Sequence, residues 1–209
     1  MSVLARPPMP VPVRMPHDAG DGLTTARLVL RRYTLDDLPS LVAINADPEV
    51  MRYLGGVMTR EQSRAFLDAR MLNYYDVHPG FGIWLTTLRE TGETVGMHCL
   101  NHIHGEPLIQ VGYRIERAHW GRGYATEMSL ALMLYGFTRK RLELITAITD
   151  LDHVVSQRVL TNVGLHRVGD RLFPHPNLVK SGRLAYFECH RAAWLGHFAA
   201  GLDPEGIPA

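Results

Sequence analysis

Hydrophobic and polar positions follow two periods along this chain, and the changes of period mark out its elements. Leu28 to Arg32 is predicted as a short strand. Thr34 followed by Asp37 has the form of a capping box and predicts a helix start. Pro48 takes the preferred first position of a second, short helix. Thr59 with Gln62 repeats the capping arrangement and opens a third helix. Its apolar stripe is Phe66, Leu67, the stem of Arg70, Met71 and Tyr74, and Pro79-Gly80 stops it. Strands are predicted over 81–88, 94–103 and 108–115, the first two joined by a hairpin turn at Glu90-Thr91-Gly92-Glu93. A long apolar helix over about 124–138 follows, then a strand over 142–149 and a helix over 153–163 ended by Gly164. Strands over 165–171 and 184–191 complete the pattern.

Seven strands, hairpin-linked early and alternating with helices late, predict an α/β (α+β mixed) fold: one mixed, largely antiparallel sheet with helices on both faces. There is no internal repeat. Residues 1–22 are rich in proline, which blocks both helix and sheet, and are expected to form a mobile tail. Residues 23–198 are expected to form a single domain and 199–209 a C-terminal tail.

Composition changes this picture little. A chain of 209 residues can bury one full core. Lys and Arg total 22 against 21 Asp and Glu, a formal net charge of +1. No general field draws the chain to nucleic acid or membrane, and neither is expected as a partner. No apolar run reaches the roughly 18 residues of a membrane helix, and the N-terminus lacks a signal-type apolar core. Cys99 and Cys189 are isolated within strand-like runs, as expected of reduced core residues in a cytoplasmic protein.

Most of the candidate chemistry lies in Trp120-Gly121-Arg122-Gly123-Tyr124-Ala125-Thr126-Glu127, between the strand over 108–115 and the long helix. First-turn N–H groups have no partner within a helix, and the helix dipole adds partial positive charge there. Small residues at the mouth of that helix make an anion site suited to a pyrophosphate. It is not a Walker loop, since no Lys-Ser or Lys-Thr follows the glycines. Nor is it a dinucleotide fingerprint, because Thr126 stands where the third glycine belongs.

The loop instead resembles the Q/R-x-x-G-x-G/A pyrophosphate loop of the GNAT acyltransferases, with Trp120 in place of the Gln or Arg. The longer string W-G-R-G-Y-A-T-E is similar to the branch containing the RimJ/RimL-like ribosomal-protein N-acetyltransferases. The likeness runs from about Thr25 to Arg191. It takes in Thr25-Ala-Arg-Leu-Val-Leu-Arg-Arg, Ala46-Asp-Pro-Glu-Val-Met-Arg-Tyr-Leu54 and Ser156-Gln-Arg-Val-Leu-Thr-Asn-Val-Gly-Leu165.

This resemblance implies a sheet splayed between the strands over 108–115 and 142–149, with acetyl-CoA as co-substrate held in the gap like an added strand. Tyr113, Ile115 and Arg117 would present backbone groups to it. Trp120, Gly121, Arg122, Gly123, Tyr124, Ala125 and Thr126 would form the pyrophosphate loop, with Trp120 and Tyr124 packing rather than reading the ligand. Arg122 would either reach a phosphate or remain a solvated loop charge. The reaction implied is direct transfer of an acetyl group to a primary amine in a ternary complex. A backbone N–H near residues 113–115 would polarise the carbonyl. Ser156 occupies the serine of the family's N-x-x-S motif and would act as acid at the CoA sulfur. The competing reading of Ser156 is a helix serine bonded back to an upstream carbonyl.

Two residues depart from the pattern. His153 stands where the family has the Asn of N-x-x-S, and it is expected near the cofactor. Gln110 stands where many relatives carry a Glu that could serve as base. The candidate bases are then His98 first, followed by Glu49 and Glu127, the last two also being ordinary first-turn acids. Water is the remaining alternative.

His98, His102 and His104 share one face of a strand by their even spacing. His98 and His102 lie about 13 Å apart by strand rise, so no metal site is expected. The acceptor stays open between a protein N-terminus and a small-molecule amine. A catalytically weak acetyl-CoA-binding sensor or interaction module is the competing class. A homodimer paired through an edge at Leu184–Phe187 is a further expectation.

Overall fold

The computed structural model describes residues 22–173 and 182–198. The expected proline-rich tail over 1–22, but for Gly22, and the tail over 199–209 lie outside the described residues. The strands are β1 (Leu28–Arg32), β2 (Gly82–Leu88), β3 (Thr94–His102), β4 (Ile109–Ile115), β5 (Leu144–Thr149), β6 (His166–Leu172) and β7 (Arg183–His190). The helices are α1 (Leu38–Ala46), α2 (Pro48–Met51), α3 (Arg60–Leu67), α4 (Asn73–Val77), α5 (Tyr124–Thr138), α6 (Val154–Asn162) and α7 (Arg191–Phe198).

All seven strands form one sheet in the order β1-β2-β3-β4-β5-β7-β6. Every neighbouring pair is antiparallel except β4 and β5, which run parallel. The mixed, mostly antiparallel sheet expected from the pattern is therefore present. The expected pairing edge at Leu184–Phe187 is not an edge. β7 is hydrogen-bonded to β5 on one side and β6 on the other, so its backbone groups are already used.

α5 carries the core. Met128 and every residue from Leu130 to Phe137 except Gly136 belong to the buried apolar set, and Gly136 and Ser129 are buried with them. Such a helix, apolar all round, belongs inside a domain.

The long helix expected from Thr59 to Pro79 is interrupted. A wide turn at Asp68–Leu72, with Asn73 N–H donating to Asp68 O, inserts one residue into the helical repeat. The insertion rotates the following face. Leu67, Met71 and Tyr75 are buried, whereas the expected Tyr74 is only half-buried and bonds His102 Nδ1 at 2.6 Å.

The last expected strand, over 184–191, ends at His190, and residues 191–198 form α7 beyond it. Its Trp194 and Phe198 rings stack at 5.1 Å over Gly164. A Cβ at Gly164 would lie 2.6 Å from Phe198, and its φ of 95° favours glycine there.

Candidate active site

Pairing between β4 and β5 is confined to a single register pair, Gln110↔Thr146. β3 and β4 share seven pairs and β5 and β7 six. The two parallel strands thus touch near their starts and part toward Ile115 and Thr149. Glu116 N–H donates to Val95 O, so strand alternation turns the peptide groups of Tyr113 and Ile115 away from β3 and into the gap. Peptide groups left in this way are ready to pair with an extended amide-bearing ligand.

The gap opens beside the N-terminus of α5. Gly121 and Gly123 adopt φ of 72° and 79°, the left-handed region that bulkier residues resist. A Cβ at Gly121 would meet nothing, so the loop leaves open space. Gly123 is the N-cap and supplies no side-chain bond. The first intrahelical bond is Glu127 N–H to Gly123 O, which leaves the N–H groups of Tyr124, Ala125 and Thr126 ahead of it. Uncapped amides, positive dipole and open space together fit a pyrophosphate.

Trp120 and Tyr124 hold this loop in place. The Trp120 indole donates to Ile115 O at 2.8 Å, tying the loop to the end of β4 and taking up that carbonyl. Only the N–H of Ile115 therefore remains for a ligand. Tyr124 is buried, with the Arg27 guanidinium 4.6 Å from its ring centroid. Arg117 and Arg122 are exposed.

Glu127 does not fit the role of base. Its carboxylate accepts from Thr25 Oγ1 at 2.6 Å, Arg27 N at 3.0 Å and Arg27 Nε at 2.6 Å. It clasps the chain before β1 onto α5 and holds Arg27 beside the loop, where Nη2 lies 3.5 Å from the position of a Cβ on Gly123.

On the α5 side of the gap, the Tyr113 hydroxyl donates to Ser156 Oγ at 3.2 Å. Ser156 is 9% exposed and sits in the first turn of α6. Among the described residues its hydroxyl is bonded by Tyr113 and makes no bond to an upstream carbonyl. Burial, partly offset by the bond to Ser156, raises the Tyr113 phenol to about 12 and keeps it protonated. Spacing alone gives no sign of this side-chain pair, because the partners are 43 residues apart.

His153 caps α6 without a side-chain bond. Its ring stacks on Tyr53 at 4.2 Å with 17° between the planes, which brings the chain after α2 to the start of α6. Burial lowers the pKa of His153 and the nearby Asp150 opposes the shift.

The first candidate base does not suit its surroundings. His98 is fully buried, its Nδ1 lies 2.7 Å from Thr86 Oγ1, and its Nε2 lies against the backbone of Tyr124 and Ala125 without a well-formed hydrogen bond. Burial drives its pKa down to about 3, and the adjacent backbone opposes that only in part. So weak a base, sealed from the gap, cannot take a proton near neutral pH. Glu49 is exposed on α2, its carboxylate 3.9 Å from Arg52.

The three strand histidines have separate surroundings: His98 meets Thr86, His102 meets Tyr74 and His104 meets Arg70. Among the described residues no three His, Cys, Asp or Glu side chains gather as a metal site. No helix among them is long and apolar enough to cross a membrane.

Residues 27–166 match the family model for the acetyltransferase (GNAT) domain. This chain belongs to the GNAT acetyltransferase family. YoaA, an uncharacterized N-acetyltransferase of Bacillus subtilis, is 31% identical over 153 residues, covering 70% of this chain and 84% of YoaA. A solved acetyltransferase from Agrobacterium tumefaciens superposes with a TM-score of 0.67 at 26% identity, over 81% of this chain and 94% of its own. The RimL ribosomal L7/L12 α-N-protein acetyltransferase, solved with coenzyme A, shares the fold with a TM-score of 0.62 at 17% identity, over 79% and 94% of the chains. The GNAT fold accounts for the parallel pair in an otherwise antiparallel sheet and for the glycine loop at the start of α5.

Proposed function

We propose that the protein transfers an acetyl group from acetyl-CoA to a primary amine by direct attack in a ternary complex. The observation that carries this reading is the opening of β4 from β5 directly beside the uncapped N-terminus of α5. Acetyl-CoA supplies the acyl group and the leaving thiolate.

The chain's own residues have distinct tasks. The amides of Tyr124, Ala125 and Thr126 hold the pyrophosphate, and Arg122 adds positive charge at the loop. The peptide groups of Tyr113 and the N–H of Ile115 hold the pantetheine arm, and one N–H there polarises the thioester carbonyl. Arg117 and His153 border the arm. Ser156 donates its proton to the departing sulfur, and the Tyr113 hydroxyl resupplies it. The acceptor nitrogen gains its bond to the acyl carbon and loses a proton. Glu49, through water at the mouth beside Tyr53, receives that proton in place of His98.

The acceptor in this reading is a protein N-terminus or a small-molecule amine. A thiol-release assay with acetyl-CoA and a panel of N-terminal peptides and small amines tests the reading. Release of CoA thiol dependent on one of these amines is expected. Tight acetyl-CoA binding with no release on any of them would favour the sensor reading.

A further inference from the structure

Arg114 lies between the two β4 residues that line the gap, and strand alternation sends its side chain to the opposite face from Tyr113. There its Nη1 donates to Asn45 Oδ1 of α1. Asn45 is in turn fixed by donation from Nδ2 to Ser63 Oγ of α3 at 3.1 Å, and both residues are fully buried. The guanidinium stands 5.7 Å from the centroid of the Phe66 ring. The site is therefore built: an arginine held by an oriented amide, with an aromatic ring beside it.

What the site lacks is an anion. Arg114 takes part in no ion pair among the described residues, and its Nε is buried with no hydrogen-bond partner. Arg31 of β1, by contrast, grips Asp37 with two bonds of 2.7 Å. The titratable groups that act on Arg114 are Tyr33 and Cys99, and both are neutral. Burial lifts the Cys99 thiol to about 12 and the Tyr33 phenol well above its ordinary value. Burial also lowers Arg114 to about 10, which leaves it charged at neutral pH. Gln110, next but one along the same face, adds no charge; its amide bonds Asn101 at 3.4 Å.

A part-buried cation without an ion-pair partner is costly and calls for one. With Nη1 engaged by Asn45 and Nε sealed from contact, Nη2 is the nitrogen left for an anion, and a charge-assisted bond to one oxygen of a carboxylate suits it. α5 and α6 pack on the Tyr113 face, where the loop and Ser156 lie, so the α1–α3 face remains for the second substrate.

We propose that Arg114 binds a carboxylate carried by the acceptor, which makes the acceptor a small amine of the amino-acid class. This rests on the acetyl-transfer reading above. A polyamine would meet like charge at Arg114 and is disfavoured.

The test is calorimetric, on full-length protein first shown to bind CoA and then saturated with it. The probes are free amino acids, including β-alanine and 4-aminobutyrate, each paired with its carboxamide. At least one acid is expected to bind about 10- to 100-fold more tightly than its amide. Arg114→Gln should bring that acid down to its amide without changing CoA affinity. Arg114→Lys, which keeps the charge but loses the planar group that Asn45 holds, should fall between. The proposal is overturned if no acid binds, if acid and amide bind alike, or if Arg114→Gln leaves their ratio intact. Should Arg114→Gln fail to fold, the wild-type ratio and Arg114→Lys decide. Failure to bind CoA at the outset would overturn the acetyl-transfer reading instead.

Discussion

The Tyr113 hydroxyl and Ser156 Oγ, 3.2 Å apart, join β4 to the first turn of α6 on the side of the gap where α5 begins. If this pair delivers the proton to the leaving sulfur, Ser156→Ala should lower kcat by about 10-fold or more with acetyl-CoA affinity unchanged. Tyr113→Phe should lower it less, and the double variant should lose less than the product of the two single losses. Steady-state kinetics with parallel CoA titration checks this; strictly multiplicative losses would separate the two hydroxyls.

Glu49 is the proposed base once His98 is set aside. Glu49→Gln should reduce kcat by about 10- to 100-fold with acetyl-CoA affinity unchanged, as steady-state kinetics with CoA titration would show. A kcat equal to the wild type's would pass the proton directly to water.

His98 should instead shape stability. Its pKa is about 3 in the fold against an ordinary 6.5, so the unfolded chain takes up the proton that the folded chain refuses. Its contribution is complete above pH 6.5 and is lost progressively as pH falls from 6.5 toward 3. Melting temperature should decline across that window, and His98→Gln, which has no charge to gain, should flatten the decline. An equal slope in the two proteins would contradict the burial of this imidazole.

Glu127 is a clasp rather than a reactant. Glu127→Ala strands Thr25 and the Arg27 amide, and a loss of about 1–3 kcal/mol is expected, kept modest because Arg27 is half exposed. Denaturant titration measures it; a loss below about 0.5 kcal/mol would show the contacts to be incidental.

Much of this was legible in the sequence because local chemistry is strong where it mattered. The paired glycines 121 and 123 demand a left-handed turn, and the apolar run after them demands a buried helix. The third helix misled for an identifiable reason: one inserted residue at Asp68–Leu72 shifts the phase and exchanges Tyr74 for Tyr75 in the core. Strand order is a tertiary fact, and spacing along the chain does not show that β7 has a neighbour on each side. His98 has the right residue type on a suitable strand, but its orientation toward α5 depends on a register no spacing reveals. Arg114 and Asn45 are 69 residues apart and carry no shared motif, so only the fold discloses their contact.

The central claim is that the glycine loop and the β4–β5 gap hold acetyl-CoA. Its most direct test is isothermal titration of acetyl-CoA into the wild type and Gly123→Asp, with folding of both followed by melting. Gly123→Asp puts bulk and negative charge at the uncapped amides, where φ is 79°. Saturable binding by the wild type and none by a folded variant is the predicted result. Equal affinity in the two proteins, or no binding by either, would contradict the account.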